Sequence, residues 1–130
     1  MKYYFLIILL VFSLISFSQE RFVATCQNFT GANVQPGTVT RDGYSDTTIT
    51  LVIADGDVLV TYSGRNERTD VLSALANNDD FFSFYKAFND VHKIYSLYPA
   101  SSKMILTEIQ TELFSGTPEV RAFVGNCSFR

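Results

Sequence analysis

The chain has little of the chemistry on which most metal sites and many enzymes depend: one histidine, two cysteines and no tryptophan. A zinc site needs more His and Cys ligands than remain once the cysteines are paired. The lone histidine, His92, has no serine motif or second histidine to work with, so we interpret it as a surface or half-buried residue near a turn. We therefore expect no metal ligands, no cofactor and no catalytic residues.

Basic residues are also scarce, because 10 Lys and Arg stand against 13 Asp and Glu, for a formal net charge of −3. Nucleic-acid binding requires a basic surface that neutralises phosphates. An electrostatic contact with an anionic membrane requires the same sign of charge. The composition therefore argues against both kinds of partner.

The longest hydrophobic run lies at the start of the chain, where residues 5–15 are nearly all apolar and follow Lys2. The small residues Ser16 and Ser18 complete the pattern of a secretory signal peptide over 1–18, with cleavage after Ser18. A membrane-spanning helix would need about 20 apolar residues, more than this run has. We expect a secreted or periplasmic protein with no membrane contact after cleavage.

Removal of the signal leaves residues 19–130, which is a normal length for one domain. Export also gives the two cysteines a role, since thiols in an oxidising compartment pair and only the Cys26–Cys127 pair is available. The Cα atoms of a bridge must lie within about 7 Å, so the first and last strands should be neighbours. The alternative is a redox-active or nucleophilic thiol, but the chain has no CxxC motif to support it.

The clearest secondary-structure pattern is "TTITLVIADGDVLVTYS", in which Asp55-Gly56 is typical of a two-residue hairpin loop. If these two residues form the loop, the numbers of cross-strand partners sum to 111. The pairs that share one side of the hairpin are then Ile53 with Val58, Leu51 with Val60, and Ile49 with Tyr62. A slip of one residue would mix the two sides.

Three other segments, "RFVATC", "KMILTEIQTELF" and "EVRAFVGNCSF", also read as strands. The second alternates, with Ile105, Ile109 and Leu113 on one face and Glu108, Gln110 and Glu112 on the other. Turn signals at this spacing predict a mostly β protein, a small antiparallel β-sandwich or a barrel-like meander with its ends joined by the disulfide.

The segment 79–92 is ambiguous. Its aromatic residues recur at helical spacing, which favours one short helix. Phe and Tyr also favour strands, and Asn89-Asp90 could form a tight turn between two of them. Both alternatives stay open from the sequence.

The aromatic cluster of this region is the one feature with a functional character. Phe81 and Phe82 are adjacent and cannot share a face of a strand, so one of them should approach the surface. We therefore take Phe81, Phe82 and Tyr85 as a candidate binding surface for a protein or a glycan. Core packing is the other use of such residues.

Other short motifs have ordinary explanations. The acidic stretches "ADGDV" and "NNDD" lack the full calcium-loop pattern, and a turn or a helix cap explains them. Asn28 and Asn126 begin N-x-S/T triplets, which accept glycans only in a eukaryotic secretory pathway. The short signal with a single lysine indicates a bacterium, so we treat both triplets as incidental.

Three functions are compatible with these observations. The preferred one is a monomeric, non-catalytic binding or accessory module with a protein or glycan partner. The second is a carrier of a small apolar ligand in a barrel cavity, which would need an enclosed apolar pocket of about 300 Å³ or more. The third is a hydrolase that uses dispersed carboxylates, whose spacing is a three-dimensional property.

Overall fold

The computed structural model describes residues 21–64, 67–111 and 116–130, and most of these residues lie in β-strands. In chain order the strands are β1 (Phe22–Gln35), β2 (Thr38–Tyr44), β3 (Thr48–Ala54), β4 (Asp57–Ser63), β5 (Arg68–Asn77), β6 (Phe82–Phe88), β7 (Val91–Tyr98), β8 (Lys103–Gln110) and β9 (Glu119–Phe129). A 3₁₀ turn, Pro99–Ser101, connects β7 to β8. The predicted signal peptide, 1–18, lies outside the described residues. Within these ranges no helix is long and apolar enough to span a bilayer.

The first and last strands pair with each other and close the sheet into a barrel. Strands β3 to β9 pair antiparallel in chain order, and β9 pairs in turn with β1. The opposite edge of β1 is shared, since its first half pairs with β3 and its second half with β2. Eight strands therefore form a closed up-and-down barrel with β2 outside it. Of the two predicted architectures, the barrel is the one that the chain adopts.

The β3–β4 hairpin has the predicted register. Ile53 pairs with Val58, Leu51 with Val60, and Ile49 with Tyr62. Asp55 and Gly56 form the loop with φ angles of 56° and 81°, the positive values that this turn requires. Ile49, Leu51 and Val60 are fully buried, so the side of the hairpin that carries them faces the barrel interior.

The segment 79–92 forms β6, the Asn89-Asp90 turn and the start of β7, so the short helix predicted as an alternative is wrong. Phe84 on β6 pairs with Tyr95 on β7, and both side chains are buried inside the barrel. Pairing with β5 and β8 supplies hydrogen bonds to the outer edges of this hairpin. Burial of alternate aromatic residues between two partner strands thus prevails over the helical spacing.

The predicted disulfide joins Cys26 on β1 to Cys127 on β9. The two residues are directly opposite each other in the β1–β9 ladder, with their Cα atoms 4.1 Å apart. The bridge therefore fastens the seam at which the barrel closes. This confirms the prediction that the first and last strands are neighbours.

Apolar side chains fill one end of the barrel, which we call the base. The buried aliphatic and small residues among them are Ala24, Ile49, Leu51, Val58, Val60, Leu72, Leu97, Met104 and Leu106. Phe22 lies at the centre of an aromatic group there, with its ring centroid 5.6 Å from those of Phe82 and Phe129. An eight-stranded barrel is just wide enough for side chains to fill it, and at the base they do.

Candidate functional site

The inward face of the barrel changes from apolar to charged along each strand. On β8 the buried residues Met104 and Leu106 are followed by buried Glu108, and on β7 buried Lys93 comes two residues before Tyr95. The charged end of the barrel, opposite the base, is here called the mouth. Because side chains alternate in a strand, these charged residues point inward like their apolar neighbours.

Four charged residues on adjacent strands form a row just inside the mouth. The strand register places Lys86 opposite Lys93, Lys93 opposite Glu108, and Glu108 opposite Arg121. We call these four residues the charged row. Directly opposite residues have their Cβ atoms about 5 Å apart, so unlike charges in the row attract each other and the two lysines repel. The row holds three cations and a single carboxylate.

Glu108 is the acidic centre of this row. Its Oε1 atom lies 2.6 Å from the ammonium nitrogen of Lys93, and its Oε2 atom accepts a hydrogen bond of 3.4 Å from the hydroxyl of Tyr44. Both oxygens of the buried carboxylate are therefore engaged, which is what burial of a charge requires.

A second set of contacts is centred on Tyr62. Its hydroxyl is hydrogen-bonded to that of Tyr95, and the two rings meet edge to face with centroids 6.4 Å apart. The guanidinium carbon of Arg68 lies 4.4 Å from the centroid of the Tyr62 ring, and the Lys93 nitrogen lies 5.4 Å from it. Both distances are within the range of cation–π attraction.

These residues surround a cavity of about 660 Å³ at the mouth. The charged side chains that line it are Asp46, Arg68, Lys93, Glu108 and Arg121. Aromatic and apolar surface comes from Tyr44, Tyr62, Phe88 and Val91. The volume is within the usual range for small-molecule sites, about 300–1,000 Å³, and the lining offers both hydrogen-bonding and apolar contacts.

Burial shifts the acid–base behaviour of these groups. It lowers the pKa of Lys93, in the same direction as the positive charge of Arg68, whereas Glu108 opposes the shift. Burial, together with the negative charge of Glu108, raises the pKa of Tyr44 to about 12. Burial also raises the pKa of Tyr62 and of Tyr95.

The tyrosine shifts predict how stability depends on alkaline pH. A phenol whose pKa is raised by folding contributes stability that is complete below pH 10.0 and is lost as the pH rises through about 12. We expect the free energy of unfolding, measured with urea between pH 9 and pH 12, to fall less steeply in Tyr44→Phe than in the natural protein. Tyr85→Phe, on the outer wall, is the matched control. If the free energy of unfolding fell equally steeply with pH in the natural protein and in Tyr44→Phe, the raised pKa of Tyr44 would be contradicted.

The structure does not bring the three predicted aromatic residues to one face. Phe82 points into the base and packs on Phe22. Tyr85 is on the outer wall and is exposed, and Phe81 stacks on Tyr98 with ring centroids 5.7 Å apart. Their role as a binding surface for a protein or a glycan stays a prediction, with Phe81 and Tyr85 as its accessible members.

The cavity residues were missed at the sequence level, although a signal for them was present. Glu108 follows Met104 and Leu106 at intervals of two, and Lys93 precedes Tyr95 and Leu97 in the same way. A charged residue in phase with buried neighbours marks an inward-pointing charge. Ile105 and Ile109 lie on the opposite face of β8 from Glu108, as predicted, but it is the face of Glu108 that points inward; Glu112 and Leu113 of the same prediction lie outside the described residues.

The remaining motifs lie away from the cavity. His92 is exposed on the outer face of β7, and no group of three or more His, Cys, Asp or Glu residues suited to a metal ion occurs in the described ranges. Asn28 and Asn126 are both exposed, and Asn126 accepts a hydrogen bond from Lys103.

Comparison with known proteins adds no family to this description: no family model, curated protein or solved structure matches the chain. The geometry itself defines a disulfide-closed, eight-stranded up-and-down barrel with a charged cavity at one end.

Proposed function

We propose that the protein is a non-catalytic binding protein that holds a small organic anion in the cavity at its barrel mouth. The observation that carries the proposal is the arrangement of Arg68 and Arg121. Both guanidinium groups line the cavity, whereas the carboxylates that pair with them do not.

Each arginine is more exposed than its nearest acidic partner. The side chain of Arg68 is 43% exposed and that of Asp70 is 18% exposed, with 3.6 Å between Nε and Oδ2. The side chain of Arg121 is 36% exposed against 9% for Glu119, and a second acid, Asp42, lies 3.9 Å from its Nε and is 34% exposed. Glu119 is also held by a 2.7 Å hydrogen bond from the amide of Gln35, which lowers its pKa and keeps it charged. None of these paired acids lines the cavity, and all of them contact the arginines through Nε, so the terminal guanidinium nitrogens are the groups offered to a ligand.

The other charges of the lining largely cancel. Lys93 and Glu108 form an ion pair with each other, and Asp46 is exposed at the rim. A positively biased lining in a chain of net charge −3 is a local feature, independent of the overall charge. Arginine suits such a role because its planar fork matches carboxylate, phosphate and sulfonate oxygens.

The non-polar lining indicates the rest of the ligand. Tyr44, Tyr62 and Phe88 offer aromatic surface beside the arginines. We therefore expect an amphipathic molecule with one acidic group and an aromatic or aliphatic body, of a size that fits about 660 Å³.

The same features bear on the two alternative functions, the carrier of an apolar ligand and the hydrolase. The base is filled by Ile49, Leu51 and Val60, and the open space lies where the lining is charged, which favours an anion over a purely apolar cargo. For a hydrolase, two carboxylates must flank one bond, whereas the two acids of this lining are Glu108, which is paired with Lys93, and the exposed Asp46. Both alternatives, and a protein or glycan partner, remain hypotheses.

The proposal is tested with a pair of fluorescent probes that differ in one group. 1-Anilinonaphthalene-8-sulfonate carries a sulfonate, and N-phenyl-1-naphthylamine has the same rings without it. A charge-assisted hydrogen bond contributes about 1.5–3 kcal/mol. We therefore expect the sulfonate to bind at least about 10-fold more tightly in a fluorescence titration of the native protein.

Arginine variants test whether Arg68 and Arg121 cause the preference for the sulfonate probe. Arg68→Gln and Arg121→Gln should each weaken sulfonate binding about 10-fold and leave binding of the neutral probe unchanged. Arg41→Gln is the matched control, because it removes the same charge from an exposed position that does not line the cavity. Tighter binding of the neutral probe would favour the apolar carrier and contradict the anion proposal. The anion proposal would also be contradicted if Arg41→Gln weakened sulfonate binding as much as the cavity variants do.

A further inference from the structure

We propose that Lys93 captures a small aldehyde or ketone inside the cavity by forming an imine with it. The inference deepens the proposed function, since it places the carbonyl compound in the same cavity and gives it the acidic group that the arginines bind. The substrate class is then a carbonyl compound that also carries a carboxylate or a similar anion.

Lys93 is placed where such a reaction needs an amine. Its side chain lines the cavity, yet it is only 11% exposed. A ligand that enters the mouth can therefore reach the ammonium group, whereas bulk water reaches it poorly. Pairing of β7 with β6 and β8 fixes the backbone at Lys93, and Glu108 and the Tyr62 ring contact its nitrogen.

The surroundings of Lys93 favour the uncharged amine, which is the reactive form. Lysine becomes a nucleophile when it is desolvated or lies beside another cation. Burial is the main influence here, and Arg68 adds positive charge. Across the β6–β7 ladder Lys93 faces a second lysine, Lys86, directly. The nearby acids, Glu108 and Asp70, act in the opposite direction.

Glu108 supplies the proton transfers that the reaction requires. Its Oε1 atom, 2.6 Å from the Lys93 nitrogen, accepts a proton from the ammonium group. The freed amine adds its electron pair to the carbonyl carbon, and one of the two protons left on the nitrogen passes to the carbonyl oxygen to give a neutral carbinolamine. The proton held by Glu108 then passes to this hydroxyl, which leaves as water as the nitrogen lone pair forms the C=N bond. The last nitrogen proton returns to the Glu108 carboxylate, which leaves the neutral imine. Amine and carbonyl compound thus give an imine and one molecule of water.

The experiment uses the natural protein and two aldehydes, 4-formylbenzoate and benzaldehyde, with sodium cyanoborohydride to reduce any imine to a stable secondary amine. Peptide mapping by mass spectrometry then compares Lys93 with two internal controls. Lys86 is its neighbour in the charged row, and Lys103 lies on β8 near the base, bonded to Asn126. The comparison of the three lysines uses only the natural protein, so folding defects cannot obscure that result.

We expect benzaldehyde to label Lys93 on the order of 10²-fold faster than Lys86 or Lys103, the lower end of what a positioned proton acceptor contributes. The same reaction on urea-unfolded protein should label all three lysines at equal rates. Equal labelling of the three in the folded protein would overturn the inference.

The second aldehyde separates this inference from the proposed function. If the arginines bind an anion, 4-formylbenzoate should label Lys93 faster than benzaldehyde does, and Arg121→Gln should abolish that advantage. Preferential labelling of Lys93 with no advantage for 4-formylbenzoate would support the nucleophile and contradict the anion site. Sulfonate-probe binding without preferential labelling of Lys93 would contradict the nucleophile alone.

Discussion

Replacing Cys26 and Cys127 together with alanine is expected to lower the free energy of unfolding by up to about 4.7 kcal/mol. That is the chain-entropy contribution of a bridge that closes a loop of about 100 residues, and the two cysteines are separated by 101 positions. Natural domains have a total stability of about 5–15 kcal/mol. Loss of the bridge should therefore bring the protein close to unfolding at 37 °C.

The position of the bridge makes the effect specific to the closure of the barrel. Cys26 is fully buried, and its partner is directly opposite it on the strand that completes the ring. Urea unfolding followed by circular dichroism measures the loss. The control is the double variant Thr25→Ala with Ser128→Ala, which alters the adjacent pair of the same seam. It should change stability by only about 0.5 kcal/mol per site. Equal midpoints for the bridged and the bridge-free protein would show that strand pairing alone holds the seam.

The second large effect is expected at Gly31 on β1, which pairs with β9 and has no room for a side chain. A Cβ atom added there would lie 1.8 Å from the backbone oxygen of Ala122. No rotamer change can relieve a clash with a backbone atom on a paired strand. Gly31→Ala should therefore destabilise the protein by about 3 kcal/mol or more, at or beyond the upper end of ordinary overpacking.

Thr30→Ala is the matched control for this substitution, because Thr30 is the preceding residue, is exposed, and pairs with the same strand. Thermal unfolding should show a clear fall in midpoint for Gly31→Ala and little change for Thr30→Ala. Hydrogen exchange should locate the destabilisation in Gly31→Ala, with the amides of β1 and β9 exchanging faster than in the natural protein. Similar midpoints for the two variants would mean that the seam has room for a side chain.

Features that depend on local chemistry could be predicted from the sequence. Asp55-Gly56 specifies both the loop and the register of the β3–β4 hairpin, because these two residues readily adopt positive φ. The Cys26–Cys127 bridge followed by elimination, since only one pair was available. In both cases a few residues determine the local structure, and the rest of the chain does not alter the prediction.

The choice between helix and strands over 79–92 depended on residues elsewhere. The aromatic spacing suits a helix, but β5 and β8 offer partners on both edges and an interior for Phe84 and Tyr95. A single segment does not reveal that such partners exist. The binding-surface prediction had the same weakness, because strand alternation sends Phe82 inward and Tyr85 outward.

For the charged row, the alternation of Glu108 and Lys93 with apolar residues shows which side chains share a face, but closure of the barrel decides which face is inside. On β8, Ile109 is 38% exposed whereas Glu108 is 8% exposed. Ile109 pairs with Val120 on the outer wall, which is exposed as well. Hydrophobicity alone would place the isoleucine inside. The barrel instead buries charges where neighbouring strands supply their partners, as β7 supplies Lys93 to Glu108.

The two ends of the described chain meet at the base. The amide of Val23 donates to the carbonyl of Arg130, and the amide of Arg130 donates back to Val23, with distances of 2.8 and 3.0 Å. A linker attached at either of these ends therefore leaves from the base, and the mouth points away from the surface that carries the linker. Coupling of the protein to a sensor chip or a bead through residue 130 should therefore leave the mouth accessible to ligands in solution.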